Sequence, residues 1–277
     1  MLRLTSLYLL AAILHHAEAV EIIAHRGASH DAPENTLAAV SLGWKRNADA
    51  VEVDVYLSKD KRIVAIHDKN TKRTTGHDGL VKEMTWSELQ KLDAGNWKNK
   101  KYKGEPVPLL SDILATVPEG KYLVIEIKCG PEIIQPLSAL LKKAKTPPSK
   151  TAIISFSFDV VAAAKKQFPK RAVYYLSSIK QNKTNGRWEP LVESLVKKAT
   201  AAGLNGLSLG NMGSQGAADN LPLVDYLRRM RKATAARDLG FYVWTVDSPR
   251  MGKLLLNLGL DGITTNRPEF LKSQIIK

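Results

Sequence analysis

The 277 residues carry 41 Lys and Arg against 27 Asp and Glu, a formal net charge of +14, and are 44% hydrophobic and 25% charged. That composition excludes a disordered, fibrous or collagen-like chain and supplies enough apolar material for a sizeable core. The one cysteine, Cys129, excludes an internal disulfide framework and a metal site built on four thiolates, while the basic surplus favours anionic partners, surfaces or substrates.

Met1–Ala19 has one early charge, Arg3, an apolar run from Leu4 to Leu14 and a closing Ala17-Glu18-Ala19. This is the layout of a cleaved secretory signal, and the run is too short to cross a bilayer as a helix. The expectation is a secreted protein, periplasmic or extracellular, whose mature chain is residues 20–277.

Beyond the leader, β-branched apolar runs recur at Ile22–Ala24, Val51–Leu57, Ile63–Ile66, Tyr122–Ile127, Ala152–Phe156, Ala172–Leu176, Leu204–Leu209, Phe241–Val246 and Gly262–Thr265. Helical patterns fall between most of them, at Thr36–Arg46, Glu132–Lys143, Val160–Gln167, Leu191–Ala202, Leu223–Leu239 and Arg250–Leu258. Strand–helix alternation over about 250 residues predicts an α/β fold, a (β/α)8 TIM barrel. Two features strain the count. There are nine candidate strands for eight places, and Ser58–Arg62 is too short for a helical crossover. Either the barrel is irregular there or one segment lies outside it.

His67–Pro108 has a different texture, rich in Lys, Gly, Thr and Asp with little apolar periodicity. It is read as a small inserted subdomain, about residues 68–108, packed over one mouth of the barrel. Within it Thr85 and Glu88 have the spacing of a capping box for a short helix, Thr85–Lys91. Twelve basic and six acidic residues lie between Lys59 and Lys103.

The chemistry sits at strand ends. His25-Arg26-Gly27 follows the first strand and His67-Asp68 the third. Glu52 and Asp54 share one face of the second strand, roughly 7 Å apart along the backbone, as do Glu126 and Lys128 on the fourth. Polar residues at the C-terminal ends of barrel strands converge on one mouth. There Glu52, Asp54 and Glu126 bring three negative charges, and Arg26 and Lys128 two positive. A divalent cation relieves the repulsion, and a bound phosphodiester then brings the total to zero. Oxygen donors without thiolate suit Mg2+ or Ca2+. Two histidines beside such a cation can serve as general base and general acid, and Arg26 and Lys128 can hold phosphate oxygens.

These motifs, in this order, resemble the glycerophosphodiester phosphodiesterase family of the PLC-like phosphodiesterase superfamily. They are His25–Gly27, Pro33–Thr36, Glu52-Val53-Asp54 with Ser58-Lys59-Asp60, Ile66-His67-Asp68, Gly104-Glu105, Glu126-Ile127-Lys128, Ser155-Phe156, Trp244-Thr245-Val246 and Asp261–Thr264. The resemblance spans about residues 21–273. It implies a TIM barrel with a small insertion, one divalent cation, Mg2+ or Ca2+, on Glu52, Asp54 and Glu126, and His25 and His67 as the acid/base pair. It implies phosphate contacts from Arg26 and Lys128, an aromatic pocket wall at Trp244, and Glu34 near the metal. The implied reaction splits a glycerophosphodiester, a small-molecule substrate, into glycerol 3-phosphate and an alcohol. This chain departs from the pattern at Asn266, where the family usually has Asp, and at Asp247, where it often has Asn; neither is expected to touch the metal site.

Two alternatives go with this reading. A basic mouth would also suit an anionic membrane surface and turnover of lysophospholipids or sphingolipids. A noncatalytic barrel could instead use its basic surface to hold polyanions, although every catalytic position is filled and no nucleic-acid partner is expected. The polar loops Gln181–Trp188 and Gly210–Asn220 follow strands and could shape the mouth. His30 and His77 are read as surface residues.

Overall fold

The structure is a computed structural model that describes residues 20–210 and 218–276. The leader-like Met1–Ala19 lies outside the described residues, as does most of the Gly210–Asn220 loop. In chain order the regular elements are β1 (Glu21–Ala24), α1 (Leu37–Lys45), β2 (Ala50–Leu57), β3 (Ile63–Ala65), α2 (Lys72–Thr75), α3 (Trp86–Leu89) and α4 (Leu110–Leu114). They continue with β4 (Tyr122–Ile127), α5 (Ile134–Lys143), β5 (Thr151–Ser155), α6 (Phe158–Gln167), β6 (Ala172–Ser178), β7 (Lys180–Gln181) and β8 (Trp188–Glu189). The last are α7 (Val192–Ala201), β9 (Gly206–Gly210), α8 (Leu221–Ala235), β10 (Gly240–Val243), α9 (Pro249–Asn257), β11 (Gly262–Thr265) and α10 (Pro268–Ile275).

Eight parallel strands, in the order β1-β2-β4-β5-β6-β9-β10-β11, close on themselves through β11 and β1. The expected TIM barrel is therefore present, and the surplus strand is accounted for. Ile63–Ala65 pairs antiparallel with the far end of β2, Val55 opposite Ala65 and Leu57 opposite Ile63, outside the closed ring. A five-residue link suffices for that hairpin and would not have sufficed for a parallel crossover. The predicted helices form within a few residues of their expected ends; Thr36, Ser157, Asn220 and Ser248 cap α1, α6, α8 and α9 with their side chains. The short α4 and the C-terminal α10 were not among the expected helices.

Alternation along each strand sorts side chains into two cores. Outward-facing Ile22, Val51, Val53, Leu123, Ile125, Ile153, Leu207 and Phe241 pack under the helices. Inward-facing Ile23, Ala50, Val124, Ala152, Ile154 and Leu176 fill the middle of the barrel. Below that plug Tyr122, Tyr174 and Tyr242 close the interior, and Gly262 is required there: a Cβ would lie 2.4 Å from the Tyr242 ring. Everything inward-facing above the plug opens on the C-terminal mouth.

Between β3 and α4 the chain builds a small satellite with its own core of Val64, Ile66, Val81, Leu89, Ala94 and Val107. The Thr85–Glu88 capping box forms, with Thr85 N donating to Glu88 Oε2 at 2.7 Å. Lys98 Nζ donates to Ser29 O at 2.8 Å, Tyr102 Oη to Asp31 O at 3.0 Å, and Glu105 Oε1 accepts from Ala38 N at 3.0 Å, fixing the satellite against the loop that follows β1 and the first turn of α1. Within Gln181–Trp188 the two end residues pair as part of the β7–β8 hairpin and residues 182–187 form its turn. Among the described residues, no helix is long and apolar enough to cross a membrane.

Candidate active site

The loop after β1 is built to bring its polar residues back over the mouth. Arg26 and Gly27 both have positive φ, at 54° and 81°, and a Cβ on Gly27 would lie 2.4 Å from the Ala39 carbonyl carbon, so only glycine lets α1 pack this close. The turn sends the Arg26 N–H to Glu52 Oε2 at 2.9 Å. Asn35, also at positive φ, is buried against Asp54 by a reciprocal pair. Its Nδ2 donates to Asp54 Oδ2 at 2.8 Å and its Oδ1 accepts from Asp54 N at 2.9 Å.

β2 and β4 supply the carboxylates. Asp54 lies opposite Glu126 in the parallel register, and Glu52 lies one inward step below Asp54. One oxygen from each of Glu52, Asp54 and Glu126 falls within 4.8 Å of the others, and all three residues are buried. Arg26 Nε approaches Asp54 Oδ2 at 3.2 Å; Lys128 Nζ donates to Glu126 Oε1 at 2.7 Å and lies 3.5 Å from Asp54 Oδ1. Two positive charges do not answer three negative ones. Burial and the neighbouring Asp54 and Glu126 push Glu52 well above the usual carboxylate range. Burial and Asp54 push Glu126 up to about 7. Burial opposes ionisation of Asp54 too, but Arg26 and Lys128 outweigh it and hold Asp54 low. Glu52 Oε1 and Asp54 Oδ1 are buried without a hydrogen-bond donor.

An orphaned, all-oxygen carboxylate cluster is what a hard divalent cation requires, so the residues fit such an ion. Glu34, placed near the metal by the resemblance, is engaged elsewhere. It accepts from Arg26 Nη1 at 2.9 Å and from Arg73 Nη2 and Nη1 at 2.7 and 2.9 Å, and the two arginines hold it ionised against the cost of burial. It fixes the Arg26 guanidinium rather than joining the cluster.

Both predicted histidines reach the same cavity. His25 follows β1, with Nδ1 2.8 Å from Asn266 Oδ1; burial and then Arg26 depress it to about 4. His67 follows β3, with Nδ1 2.6 Å from Asp68 Oδ1 and Nε2 3.3 Å from Lys128 Nζ. Asp68 is in turn held by Arg73 Nε at 2.5 Å. The cavity, about 220 Å³, is lined on one side by His25, Arg26, Glu52, His67, Glu126 and Lys128. The facing wall is Ile154, Phe156, Leu176, Ser208 and Trp244. Trp244 meets Phe156 edge to face at 5.4 Å, and its ring occupies the space a side chain on Gly210 would need. Tyr175, by contrast, packs against Phe158 in the outer layer. His30 and His77 are exposed, although His30 borders a second cavity of about 390 Å³ that continues from His25 and Arg26 toward Trp97 and Lys98.

The structure thus gathers every predicted site residue at one mouth. It adds four that sequence reasoning gave no role: Asn35, Arg73, Asp247 and Asn266. Asn35 stood inside a recognised motif, but its partner is 19 positions away. Arg73 is one basic residue among twelve in a segment with little apolar periodicity. Asn266 and Asp247 are departures from the family pattern; as expected, neither touches the carboxylates, but Asp247 holds Asn266 and Asn266 holds His25.

A family model described as the glycerophosphoryl diester phosphodiesterase family matches residues 25–270. The chain is 34% identical over 260 residues to YhdW of Bacillus subtilis (strain 168), covering 90% of this chain and 96% of that one. It is 31% identical over 261 residues to a glycerophosphodiester phosphodiesterase of Caldanaerobacter subterraneus subsp. tengcongensis, covering 92% and 98%. Among solved structures it resembles an Oleispira antarctica phosphodiesterase in complex with the product sn-glycerol-3-phosphate, at 27% identity and a TM-score of 0.78, over 94% of this chain and 98% of that one. The chain belongs to the glycerophosphoryl diester phosphodiesterase family.

Proposed function

We propose that this protein is a divalent-cation-dependent hydrolase of water-soluble glycerophosphodiesters, releasing glycerol 3-phosphate and an alcohol. The observation that carries the reading is the buried, under-satisfied cluster of Glu52, Asp54 and Glu126, flanked in one cavity by two histidines and two cationic side chains. Family membership and the product found in the Oleispira antarctica relative support the substrate class.

Glu52, Asp54 and Glu126 would hold one Mg2+ or Ca2+ ion, which when bound supplies Lewis-acid polarisation of a phosphoryl oxygen. Arg26 and Lys128 stand at the rim of that cluster, placed to contact the remaining phosphate oxygens and the charge that develops on them. One histidine takes the proton of the attacking hydroxyl as the new O–P bond forms; that hydroxyl is water, or it is the glycerol 2-hydroxyl, in which case water opens the resulting cyclic phosphate in a second exchange with the histidine roles reversed. The other gives a proton to the departing alkoxide as the ester O–P bond breaks. Phe156, Leu176 and Trp244 give the substrate an apolar wall opposite the charged groups. The layout of Met1–Ala19 supports action outside the cytoplasm.

Turnover of glycerophosphocholine against lysophosphatidylcholine tests the substrate. Preference for the water-soluble diester is expected. Preference for the lipid would move the activity to membranes. Salt-sensitive polyanion binding with turnover of neither would replace the enzyme reading.

A further inference from the structure

The two histidines are backed differently. Behind His67 stands a carboxylate, Asp68; behind His25 stands an amide, Asn266. That amide has no freedom to turn. Asn266 Nδ2 lies 2.7 Å from Asp247 Oδ2, and a carboxylate accepts but does not donate, so the NH2 end faces Asp247 and the oxygen faces His25. Ser29 Oγ donates to the same oxygen at 2.9 Å. The carboxylate is itself fixed: Asp247 Oδ1 accepts from Asn266 N and from Thr265 Oγ1, each at 2.8 Å. An oxygen 2.8 Å from His25 Nδ1 can only accept. Nδ1 therefore carries the ring proton, and Nε2 of the neutral ring keeps its lone pair.

We propose that Asp247 and Asn266 are positioning residues that act in series, Asp247 fixing the amide and the amide fixing the His25 tautomer, so that His25 Nε2 accepts the proton of the attacking hydroxyl. His67 is left to protonate the leaving alkoxide, so one proton enters at His25 and one leaves from His67 per bond exchanged. The inference rests on the phosphodiesterase reading above. An amide brings no charge to hold an imidazolium, which suits a group that must begin neutral. The charged groups that weigh most on His25 are Arg26 and Glu34 on its own loop and Asp54 on β2; Glu52, Glu126, Lys128 and Lys98 line the cavities it borders, and Asp247 reaches it only through the amide.

The test is Asp247→Asn. The new residue can still accept from Asn266 N and Thr265 Oγ1, but it presents an NH2 to Asn266. The Asn266 amide is then expected to turn over, placing its own NH2 against His25 Nδ1 and moving the ring proton to Nε2. The analogous carboxylate-to-amide change behind a serine-protease histidine costs about 10⁴-fold in kcat through the wrong tautomer. A fall of about 10²-fold or more in kcat with little change in KM is expected here. Adding Asn266→Asp to Asp247→Asn restores one charge and one amide in exchanged places, and should recover at least about tenfold of the loss. Ring 15N NMR of the folded proteins reads the tautomer: Nδ1–H in the parent and the double variant, Nε2–H in Asp247→Asn. Should Asp247→Asn not fold, Asn266→Ala removes the acceptor behind His25 while leaving Asp247 its Thr265 and backbone bonds, and kcat should fall about tenfold or more.

Parent-like turnover and tautomer in Asp247→Asn, a double variant no better than the single, or unchanged kcat in Asn266→Ala would each overturn the inference. Activity surviving in His25→Ala would instead sink the acid/base reading beneath it.

Discussion

Two sets of carboxylates face into the same barrel, at opposite ends, and only one is left wanting. At the N-terminal end the half-buried Glu21 Oε2 accepts from Tyr122 Oη at 2.6 Å and Tyr242 Oη at 3.1 Å, with Tyr174 packed edge-on to Tyr242 at 4.8 Å. Burial first, then their charged or phenolic neighbours, push the Tyr122 and Tyr242 hydroxyls far up, so they remain neutral donors. One negative charge meets donors supplied by the fold. At the C-terminal end three negative charges meet Arg26 and Lys128, and buried oxygens of Glu52 and Asp54 have no donor. A carboxylate inside a barrel does not mark a functional site by its burial. What marks it is the mismatch between the charge the strands bring in and the donors the fold provides.

The largest effects should fall at the upper end. His25→Ala and His67→Ala should each lower kcat about 10³-fold or more, within the range of general acid–base contributions, while circular dichroism stays that of the parent. Near-normal turnover in either would remove that histidine from the chemistry. Glu52→Gln should weaken cation affinity and be partly rescued by excess cation. Glu21→Gln should leave cation affinity alone and lower stability by about 1–3 kcal/mol through its tyrosine bonds. Equal effects of the two on cation affinity would erase the contrast between the two ends.

A pH series sharpens the contrast further. Glu126 is pushed up to about 7, so the cation-free fold binds more protons than the unfolded chain between the ordinary glutamate range and pH 7. Its stability should therefore fall as pH rises through that window. His25, depressed to about 4, contributes the opposite slope. The gain in Tm on adding Mg2+ or Ca2+ isolates the carboxylates, and it should grow from pH 5 to pH 7.5. A gain that is flat or shrinks would contradict the ligand assignment.

The smallest effect expected is at Arg73, which ties the satellite to Glu34 and Asp68. Arg73→Ala should cost under about 1 kcal/mol of stability, because the guanidinium is half-exposed. It should still lower kcat/KM several-fold by loosening Glu34 from Arg26 and Asp68 from His67.

How much of this the sequence disclosed follows from where each partner lies in the chain. Glu52 with Asp54, and Glu126 with Lys128, were legible because strand alternation puts residues two apart on one face. The barrel was legible from repeated strand–helix alternation, and the short Ser58–Arg62 link already marked the place where Ile63–Ala65 turns back on β2. The Asp247–Asn266–His25 series was not legible as a contact. It joins the ends of β10, β11 and β1, which meet only when the barrel closes. Arg73 was hidden for a different reason: in a segment of twelve basic residues nothing local separates a solvated side chain from one that clamps two acids. α10 escaped because Phe270, Leu271 and Ile275 sit among polar residues in only eight positions.

The most direct measurement is glycerol 3-phosphate release from glycerophosphocholine by the protein after chelation, and again with Mg2+ or Ca2+ restored. Release that appears only with the cation is the result expected of Glu52, Asp54 and Glu126 as its ligands. Equal release with and without cation would contradict the site.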